Sequence, residues 1–500
     1  MKQIFAKKPL SLLLEEMKGE NRLRRILGPI TLTSLGVGAI IGTGIFVLTG
    51  KAALTAGPGV MLSFVFAGIA CVFAAFCYAE FASMVPVAGS AYTYAYATLG
   101  ELFAWIIGWD LVLEYAVGSA AVANGWSSYF QEFIDVFGLK LPDIIAKAPI
   151  TLVKGHLIIS GGIVNLPAVI ITFIVTVILI IGIKESARFN ATMVITKLFI
   201  VIFVIVVGAF YIKTSNWSNF TPFGLGGLTF FGTTIWGEVS NGLGGVQINA
   251  PMGVLAAAAV VFFAYIGFDS VSTHAEEAKN PRKDVPIGII ASLLICTVLY
   301  IVVAAVLTGM VPYDKISVDA PVANAFKQVG LGWAQLLISI GAVAGITSVL
   351  LVMMLSQPRV LLAMARDGLV PPSIFAAVHE KFRTPWKSTI ATGIFVATLS
   401  GFLPLDVLAE LVNIGTLFAF VVVCTAVLIM RRTHPEAERP YKAPFFPAVP
   451  ILGIVTCLIL MFSLALENWI RLFIWLGIGM LIYVFYGRHH SVMHKLMNKK

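Results

Sequence analysis

Ionisable side chains interrupt several apolar runs of this sequence, and they are its clearest candidates for chemistry. Lys197 stands in the run from Ile195 to Phe199, and Glu114 follows Asp110 by one helical turn in a second run. Ionisable groups at membrane depth are costly, so they pair with partners or serve ions and protons. We predict that Lys197 and Glu114 serve proton coupling. For Lys197 the alternative is snorkelling to the nearby interface, and for Asp110 it is a structural partner of Glu114.

Further carboxylates lie close to the predicted sixth helix. Asp269 follows Gly267 and Phe268 at membrane depth, and we expect it to bind a backbone amide or a gate residue. Glu80, at the end of the predicted second helix, and Glu276 with Glu277 lie nearer water. We expect these three to stabilise the inner gate or to pair with arginines.

The composition places these groups in a membrane protein. The chain has 500 residues, of which 59% are hydrophobic and 12% charged, with a mean hydropathy of +0.94. A soluble domain carries roughly 25% charged residues, so we expect a polytopic, all-α membrane protein in the lipid bilayer. The net charge of +9 does not indicate nucleic acid, because the basic residues lie between apolar runs. The five cysteines lie in apolar stretches without metal-ligand spacing, so no cofactor or metal is expected.

Apolar runs long enough to cross a bilayer predict twelve transmembrane helices. They are placed at about 29–54, 59–84, 102–134, 164–182, 191–212, 252–274, 286–311, 332–364, 388–403, 407–430, 449–466 and 469–487. The predicted organisation is a cytoplasmic N-terminal segment (1–28), a first five-helix repeat (29–212), an extracellular loop (213–251), a second five-helix repeat (252–430), helices 11 and 12 (449–487) and a cytoplasmic tail (488–500).

The distribution of lysine and arginine predicts the orientation. These residues are concentrated in the segments that lie inside if the N-terminus is cytoplasmic, which predicts two cytoplasmic termini in the cell membrane. The segment 85–100 has neither residue, and its small and aromatic residues favour an interfacial helix. The glycine-rich loop 213–251 is interpreted as a flexible cap or as a segment without a role.

Two predicted helices carry signals for a break near mid-membrane. The first contains Gly42-Thr43-Gly44, and the sixth contains Gly267 followed by Asp269. Glycine in a helix interior costs about 0.5–1 kcal/mol relative to alanine, and broken helices in corresponding positions of two halves mark a transporter's binding site. The competing interpretation is that these glycines only allow close helix packing.

Paired helix breaks favour an amino acid over a sugar or a nucleoside. A helix N-terminus attracts a carboxylate, and an exposed carbonyl end attracts an ammonium. A zwitterionic amino acid carries both groups on one carbon. An enzyme is not indicated, because the chain has no nucleotide-binding loop and no zinc-ligand spacing.

Several motifs resemble those of the amino acid–polyamine–organocation superfamily, and within it the bacterial branch of the cationic amino acid transporter family. They are Gly38 to Phe46, Tyr78 to Phe81 with Pro86 and Gly89 to Tyr92, Ser186 to Asn190, Gly267 to Asp269, Glu276 to Ile289, and Arg366 to Leu369. The resemblance implies a LeuT-like fold of five-plus-five inverted repeats with discontinuous helices 1 and 6, and amino acid uptake by proton coupling or exchange. The loop around 232–251 is longer than the family pattern.

The resemblance also assigns site residues. It implies that Lys197 fills the place of a sodium ion between helices 1 and 8, contacting carbonyls near Gly38 to Ile41 and hydroxyls such as Thr347 and Ser348. The substrate is expected to contact Ile40, Ile41, Thr43 and Gly44 in helix 1, Phe263, Ala264 and Ile266 in helix 6, and Met353 in helix 8. Proton coupling and gating are expected from Lys197, Glu114 and Asp269.

Met353 is the residue that bears on substrate choice. Vertebrate members of the family have a small polar residue at the matching position, so methionine predicts small or medium neutral amino acids; the competing interpretation is a lipid-facing Met353. The alternative functions are transport of arginine or lysine, amino acid exchange, or a sensor built on a transporter fold. The oligomeric state is left open.

Overall fold

The computed structural model describes residues 6–9, 25–85, 90–153, 156–230, 233–241, 248–382 and 384–498. It is mostly helical, because the apolar runs can satisfy their backbone groups internally only as helices in lipid. The predicted cytoplasmic N-terminal segment, residues 1–28, lies largely outside the described residues.

In the first half of the chain, to residue 209, the described residues form nine α-helices and one hairpin. They are α1 Pro29–Ile40, α2 Thr49–Ala56, α3 Val60–Met84, α4 Ala91–Thr98, α5 Glu101–Val112, α6 Gly118–Asp135, α7 Asp143–Ala146, α8 Leu166–Ile181 and α9 Ile183–Ala209, with the antiparallel strands β1 Ile150–Val153 and β2 His156–Ile159. Two π-helical turns interrupt the helices. Gly44–Leu48 precedes α2, and Leu113–Val117 joins α5 to α6.

The second half begins with two short antiparallel hairpins and continues as helices. The strands are β3 Leu228–Phe230, β4 Thr233–Trp236, β5 Val239–Asn241 and β6 Ile248–Pro251. The helices are α10 Val254–Val261, α11 Ser270–Thr273, α12 Pro281–Met310, α13 Pro321–Gln328, α14 Gly332–Arg366, α15 Pro372–Phe375, α16 Trp386–Phe402, α17 Leu405–Thr433, α18 Ala448–Met461, α19 Leu466–Ile482, α20 Arg488–His490 and α21 Val492–Asn498.

Eight helical stretches of the described residues are long and apolar enough to cross a membrane. They are Pro29–Met84, Glu101–Asp135, Asn190–Ala209, Val254–Thr273, Pro281–Met310, Gly332–Arg366, Leu405–Thr433 and Leu466–His490. The first of them contains α1, α2 and α3 together. Two shorter apolar helices, Leu166–Ile181 and Ala448–Met461, accompany them. The chain is therefore a multi-pass membrane protein.

Two segments differ from their predictions. Residues 91–98 form a helix, but all eight are buried rather than interfacial, because α4 packs against α5 and α17 and the Tyr94 ring stacks on Phe81 of α3. The described parts of the loop 213–251 contain hairpins and bind neighbouring segments: Thr229 donates its backbone N–H to the carbonyl oxygen of Phe462, and the carbonyl oxygen of Gly224 accepts from Val254 N–H. The described parts of this loop are therefore bound to the residue that follows α18 and to the start of α10.

The described residues form two opposite ends of the molecule, here called the terminal face and the loop face. The terminal face holds residues 6–9 and the segment from α20 to α21, and the loop face holds the hairpins β1 to β6. Lys8 and Val492 both contact Asp367 at the terminal face. The candidate site lies between these faces.

Candidate functional site

Both helices with predicted breaks are interrupted. Helix α1 ends at Ile40, and the chain resumes as the π-helical turn at Gly44. Helix α10 is followed by a 3-10 turn that ends at Tyr265, and α11 begins only at Ser270. Gly267 has a φ of 117°, a conformation that residues with a Cβ rarely adopt. We name α1–α2 and α10–α11 the first and second interrupted helices.

The two interruptions lie against each other. A Cβ built on Gly44 would overlap the backbone of Ala264, and one built on Gly267 would lie 2.8 Å from the Cβ of Ala39. The missing side chains of these glycines therefore allow the two backbones to touch. This contact brings the free backbone ends of both helices to one place.

Tyr300 of α12 binds both interruptions, and sequence reasoning missed it. Its hydroxyl lies 2.7 Å from the carbonyl oxygen of Ile40 and 2.9 Å from that of Ala264. Both carbonyls belong to residues expected to contact substrate. The only sequence signal was a buried tyrosine in an aliphatic run, which more often indicates packing alone.

Lys197 of α9 is fully buried, with 0% of its surface exposed. Its Nζ donates to the carbonyl oxygens of Gly38 at 2.7 Å and Ile41 at 2.9 Å, and lies 3.3 Å from Ser348 Oγ. These contacts join the end of α1 to α14 and exclude snorkelling in this conformation. Thr347 does not take part; its hydroxyl instead accepts the Trp126 indole N–H at 2.9 Å.

Ser348 completes the arrangement around the ammonium. Its hydroxyl lies 3.0 Å from the carbonyl oxygen of Gly38 and 2.8 Å from Asn190 Oδ1. Asn190 also lies close enough to Gly38 that a Cβ there would meet its amide. Helices α1, α9 and α14 are thus held at one point by a lysine and two neutral polar side chains.

Glu114 lies in the π-helical turn Leu113–Val117, a distortion that is frequent at functional sites. It is buried and faces Asp269 of the second interrupted helix. Tyr115, from the same turn, donates its hydroxyl to Asp269 Oδ2. Asp269 therefore binds the tyrosine beside Glu114, and the backbone of Gly267 and of Asp269 itself interacts with the same carboxylate, in line with the predicted backbone contact.

This group of carboxylates has unused hydrogen-bonding capacity. Both carboxylate oxygens of Asp110 and Glu114 and Oδ1 of Asp269 have no hydrogen-bond partner among the described residues. Buried like charges cannot both ionise at close range. Glu114 and Asp269 thus form a pair of neighbouring buried carboxylates, which would repel each other if both were ionised.

The other residues expected to contact substrate lie around the two interruptions. Ile40, Ile41, Thr43, Phe263, Ala264, Ile266 and Met353 are all buried. Thr43 lies against Gly125 of α6, and its hydroxyl is 3.5 Å from the carbonyl oxygen of Val122. Met353 is 1% exposed and its Sδ lies 3.5 Å from the Cβ position of Gly118. Met353 is therefore not lipid-facing.

A cavity of about 740 Å³ opens at the loop face. It reaches Val47 and Leu48, just beyond the first interruption, and is also lined by Lys51, Glu132 and Asp406. Lys51 Nζ lies 2.9 Å from Asp406 Oδ1 and 3.3 Å from Glu410 Oε1. The conformation is thus accessible from the loop face almost to the breaks.

The terminal face is closed by ion pairs, which we name the terminal seal. Its members are Glu277–Arg359, with Arg359 Nε 2.9 Å from Glu277 Oε1, Glu276–Arg366 at 3.4 Å and Lys8–Asp367 at 2.6 Å. The backbone N–H groups of Ile26 and Leu27 donate to the carbonyl oxygen of Glu277. Glu80 pairs with Arg431 and Arg439, so the predicted pairing of these glutamates with arginines is confirmed.

Comparison with known proteins identifies the family. The family model described as "Amino acid permease" matches residues 27–485. The chain belongs to the amino acid permease family. The permease is also 48% identical over 493 residues to the Branched-chain amino acid permease BcaP of Bacillus subtilis (strain 168), covering 98% of this chain and 99% of the relative.

Two further relatives widen the range of named substrates. The permease is 46% identical over 496 residues to the Methylthioribose transporter of Bacillus subtilis (strain 168), covering 99% of this chain and 100% of the relative. It is 39% identical over 426 residues to the vacuolar Cationic amino acid transporter 4 of Arabidopsis thaliana, covering 84% of this chain and 65% of the relative. The permease is therefore a transporter and not an enzyme, as predicted.

Proposed function

We propose that the permease imports small or medium neutral amino acids by alternating access, coupled to protons and independent of sodium. The observation that carries this proposal is the Lys197 ammonium bound to the Gly38 and Ile41 carbonyls at the first interruption. In this proposal residues 29–212 and 252–430 are inverted five-helix repeats of a LeuT-like fold with twelve crossings. Both termini lie in the cytoplasm, so the terminal face is the cytoplasmic one and the protein lies in the plasma membrane.

The two interruptions supply groups of opposite polarity for a zwitterion. The helical segment that starts at Gly44 leaves N–H groups without intrahelical partners, and these suit the substrate carboxylate. The carbonyl groups of the 3-10 turn around Phe263 and Ala264 suit its ammonium. Because Gly44 and Ala264 are in contact, one small molecule can reach both sets of groups.

Lys197 supports sodium independence because its ammonium binds oxygen atoms that could otherwise coordinate a sodium ion. A sodium ion would require several oxygen ligands, and the carbonyls of Gly38 and Ile41 with the Ser348 hydroxyl lie where α1 meets α14. The ammonium already binds all three, and a second cation would be repelled at this distance. Conformational change that moves α1 from α14 would break these contacts, which makes Lys197 the proposed latch.

Met353 supports a neutral substrate side chain. The side chain of Met353, in α14, packs against Gly118 of α6. Its thioether offers no strong hydrogen-bond partner to a guanidinium. We expect Met353→Ser to raise competition by arginine at least about tenfold relative to alanine, a change worth about 1.4 kcal/mol. Competition of labelled alanine uptake measures this, with Met354→Ser as the matched control. Unchanged arginine competition in M353S would show that Met353 does not limit the substrate.

Uptake into proteoliposomes tests the proposed function as a whole. Purified permease is assayed with an imposed proton gradient, a sodium gradient or neither, against alanine, leucine, arginine and methylthioribose. We expect the proton gradient alone to drive accumulation of the neutral amino acids. Accumulation driven only by sodium would overturn the coupling, and uptake of methylthioribose or arginine alone would overturn the substrate class.

Cationic amino acid transport is the second candidate, because several relatives are named for it. The unpaired carboxylate oxygens of Glu114 and Asp110 offer a chemical basis, since they could receive a basic side chain. Strong arginine competition with none from neutral amino acids would favour this candidate. Amino acid exchange and sensing are separated from net import by whether substrate accumulates without internal substrate.

A further inference from the structure

A buried histidine lies directly beside the terminal seal. His274 follows α11 and is 1% exposed. Its neighbour Thr273 has its hydroxyl 3.3 Å from Ser356 Oγ of α14, three residues before Arg359. His274 thus lies where the second interrupted helix meets the arginine of the Glu277–Arg359 pair.

The hydrogen bonds of His274 determine which ring nitrogen is protonated. Nδ1 lies 2.8 Å from the carbonyl oxygen of Ser270 and 3.1 Å from the Thr273 hydroxyl, which itself donates to the Ser270 carbonyl at 2.7 Å. A carbonyl oxygen only accepts, so Nδ1 carries the hydrogen and Nε2 presents a lone pair. Nε2 has no hydrogen-bond partner among the described residues. A proton acceptor is therefore kept buried and unused while the seal is closed.

We propose that His274 is a proton-binding site of the terminal seal, neutral while the seal is closed and protonated at Nε2 when the Glu277–Arg359 pair separates and water enters. Protonation then stabilises the open state, so acid on the terminal face favours its opening. The proposal rests on the proposed alternating access, because it requires the terminal face to open. It assigns to His274 a proton different from the one proposed for Glu114, Asp269 and Lys197.

Electrostatics of the closed seal support this assignment. Burial and, to a smaller extent, the positive charge of Arg359 lower the pKa of His274 from 6.5 to about 3, although the Ser270 carbonyl acts in the opposite direction. Opening removes the burial and moves Arg359 away, so the pKa returns toward 6.5. A group with a higher pKa in the open state binds protons preferentially there, so opening becomes more favourable as the pH falls below about 6.5.

The charged and titratable groups on the surrounding elements do not offer His274 a described alternative partner. The segment of His274 itself carries Asp269, Glu276 and Glu277, and α14 carries Arg359 and Arg366. Helix α12 begins with Arg282, Lys283 and Asp284, whereas α1 has no ionisable side chain. Helix α3 carries Cys71, Cys77, Tyr78 and Glu80. Glu277 is paired with Arg359, Glu276 with Arg366 and Glu80 with Arg431. Arg359 is the only one of these that the structure shows acting on the charge of His274.

Cysteine labelling of the purified full-length permease tests the proposal. Ser356→Cys places a thiol at the seal, where the native side chain is fully buried. A maleimide labels it only when the terminal face opens, after subtraction of labelling in the parent protein. The rate is measured from pH 7.5 to 5.5 in S356C and in S356C/H274N, and the ratio of the two rates cancels the pH dependence of thiol reactivity.

We expect this ratio to rise about tenfold between pH 7.5 and 5.5, because only the parent histidine binds a proton in the open state. A ratio that stays constant over this range would overturn the proposal. H274Q, which also cannot titrate, must reproduce H274N and replaces it if H274N does not purify as a monodisperse protein.

A second variant separates this proposal from the proposed function. E277Q removes the negative partner of Arg359 and should raise labelling of S356C at every pH. Failure of E277Q to do so would overturn the seal and the role of His274 with it. A pH-dependent ratio combined with no proton-driven amino acid uptake would overturn the proposed function and leave the role of His274 intact.

Discussion

Lys197→Ala and Lys197→Met are expected to abolish accumulation of amino acids in proteoliposomes at every pH from 5 to 8. Either change removes the ammonium from the buried carbonyl oxygens of Gly38 and Ile41. A buried acceptor left without its donor costs about 1–3 kcal/mol. The closed arrangement of α1 against α14 then loses its latch, and the conformations of the two faces are no longer linked to protonation.

The paired substitutions separate charge from packing. Lys197→Met keeps most of the side-chain volume, so a defect shared by both variants belongs to the ammonium. Lys213→Met, at an exposed lysine beyond the end of α9, is the matched control and should transport normally. Concentrative, pH-dependent uptake by either Lys197 variant would refute the latch, and uptake that became sodium-dependent would support the proposed replacement of a sodium ion.

Glu114→Gln is expected to convert the permease from a concentrating transporter into one that only equilibrates its substrate. Glu114 faces Asp269, and its own oxygens have no hydrogen-bond partner among the described residues. A neutral amide cannot carry the coupled proton. With the membrane potential clamped at zero, a gradient of one pH unit supports about tenfold accumulation for each coupled proton, and we expect E114Q to reach a ratio of one.

Counterflow distinguishes lost coupling from lost binding. E114Q should still exchange internal for external labelled substrate, because the residues at the two helix interruptions are unchanged. Glu132→Gln, at a carboxylate of the loop-face cavity that pairs with Gln335, is the isosteric control and should accumulate substrate normally. Tenfold accumulation by E114Q would assign the coupled proton to another group, with Asp269 the next to test.

The two predictions concern separate parts of one assembly. Lys197 donates hydrogen bonds to the first interrupted helix. In the second, Asp269 accepts a hydrogen bond from Tyr115 and faces Glu114. Tyr300 joins the two helices through the carbonyls of Ile40 and Ala264. Buried contacts therefore join the two parts of the site, in surroundings where electrostatic interactions are strong.

Much of this site was predictable because it depends on the free-energy cost of particular residue types at particular positions along a helix. Glycines in helix interiors predicted both interruptions, since a helix is weakened where side chains and their restrictions are missing. Lys197 and Glu114 were predicted to be site residues because an ionisable group in an apolar run is costly unless it has a partner or a function. The contacts of Lys197 with Gly38, Ile41 and Ser348 were expected from the family resemblance, and they are present.

Other features could not be predicted because they depend on which helices become neighbours. Nothing local distinguishes Tyr300 from a packing tyrosine, or Tyr115 from its apolar neighbours. The burial of α4 depends on its packing against α17, which lies far from it in the sequence, and against Phe81 of α3. The order of the loop 213–251 depends on backbone hydrogen bonds to residues far away in sequence.

The sequence by itself determined that this protein crosses a membrane, that two of its helices break, and that Lys197, Glu114 and Asp269 are buried. Those properties follow from the hydropathy of each segment and from the cost of glycine in a helix, both of which depend on residues that are close together in the sequence. Only the tertiary structure decided that the breaks touch, that Asp269 binds Tyr115 rather than a gate residue, and that His274 keeps an unused nitrogen beside Arg359. These are distances between separate helices, and packing of the whole molecule sets them.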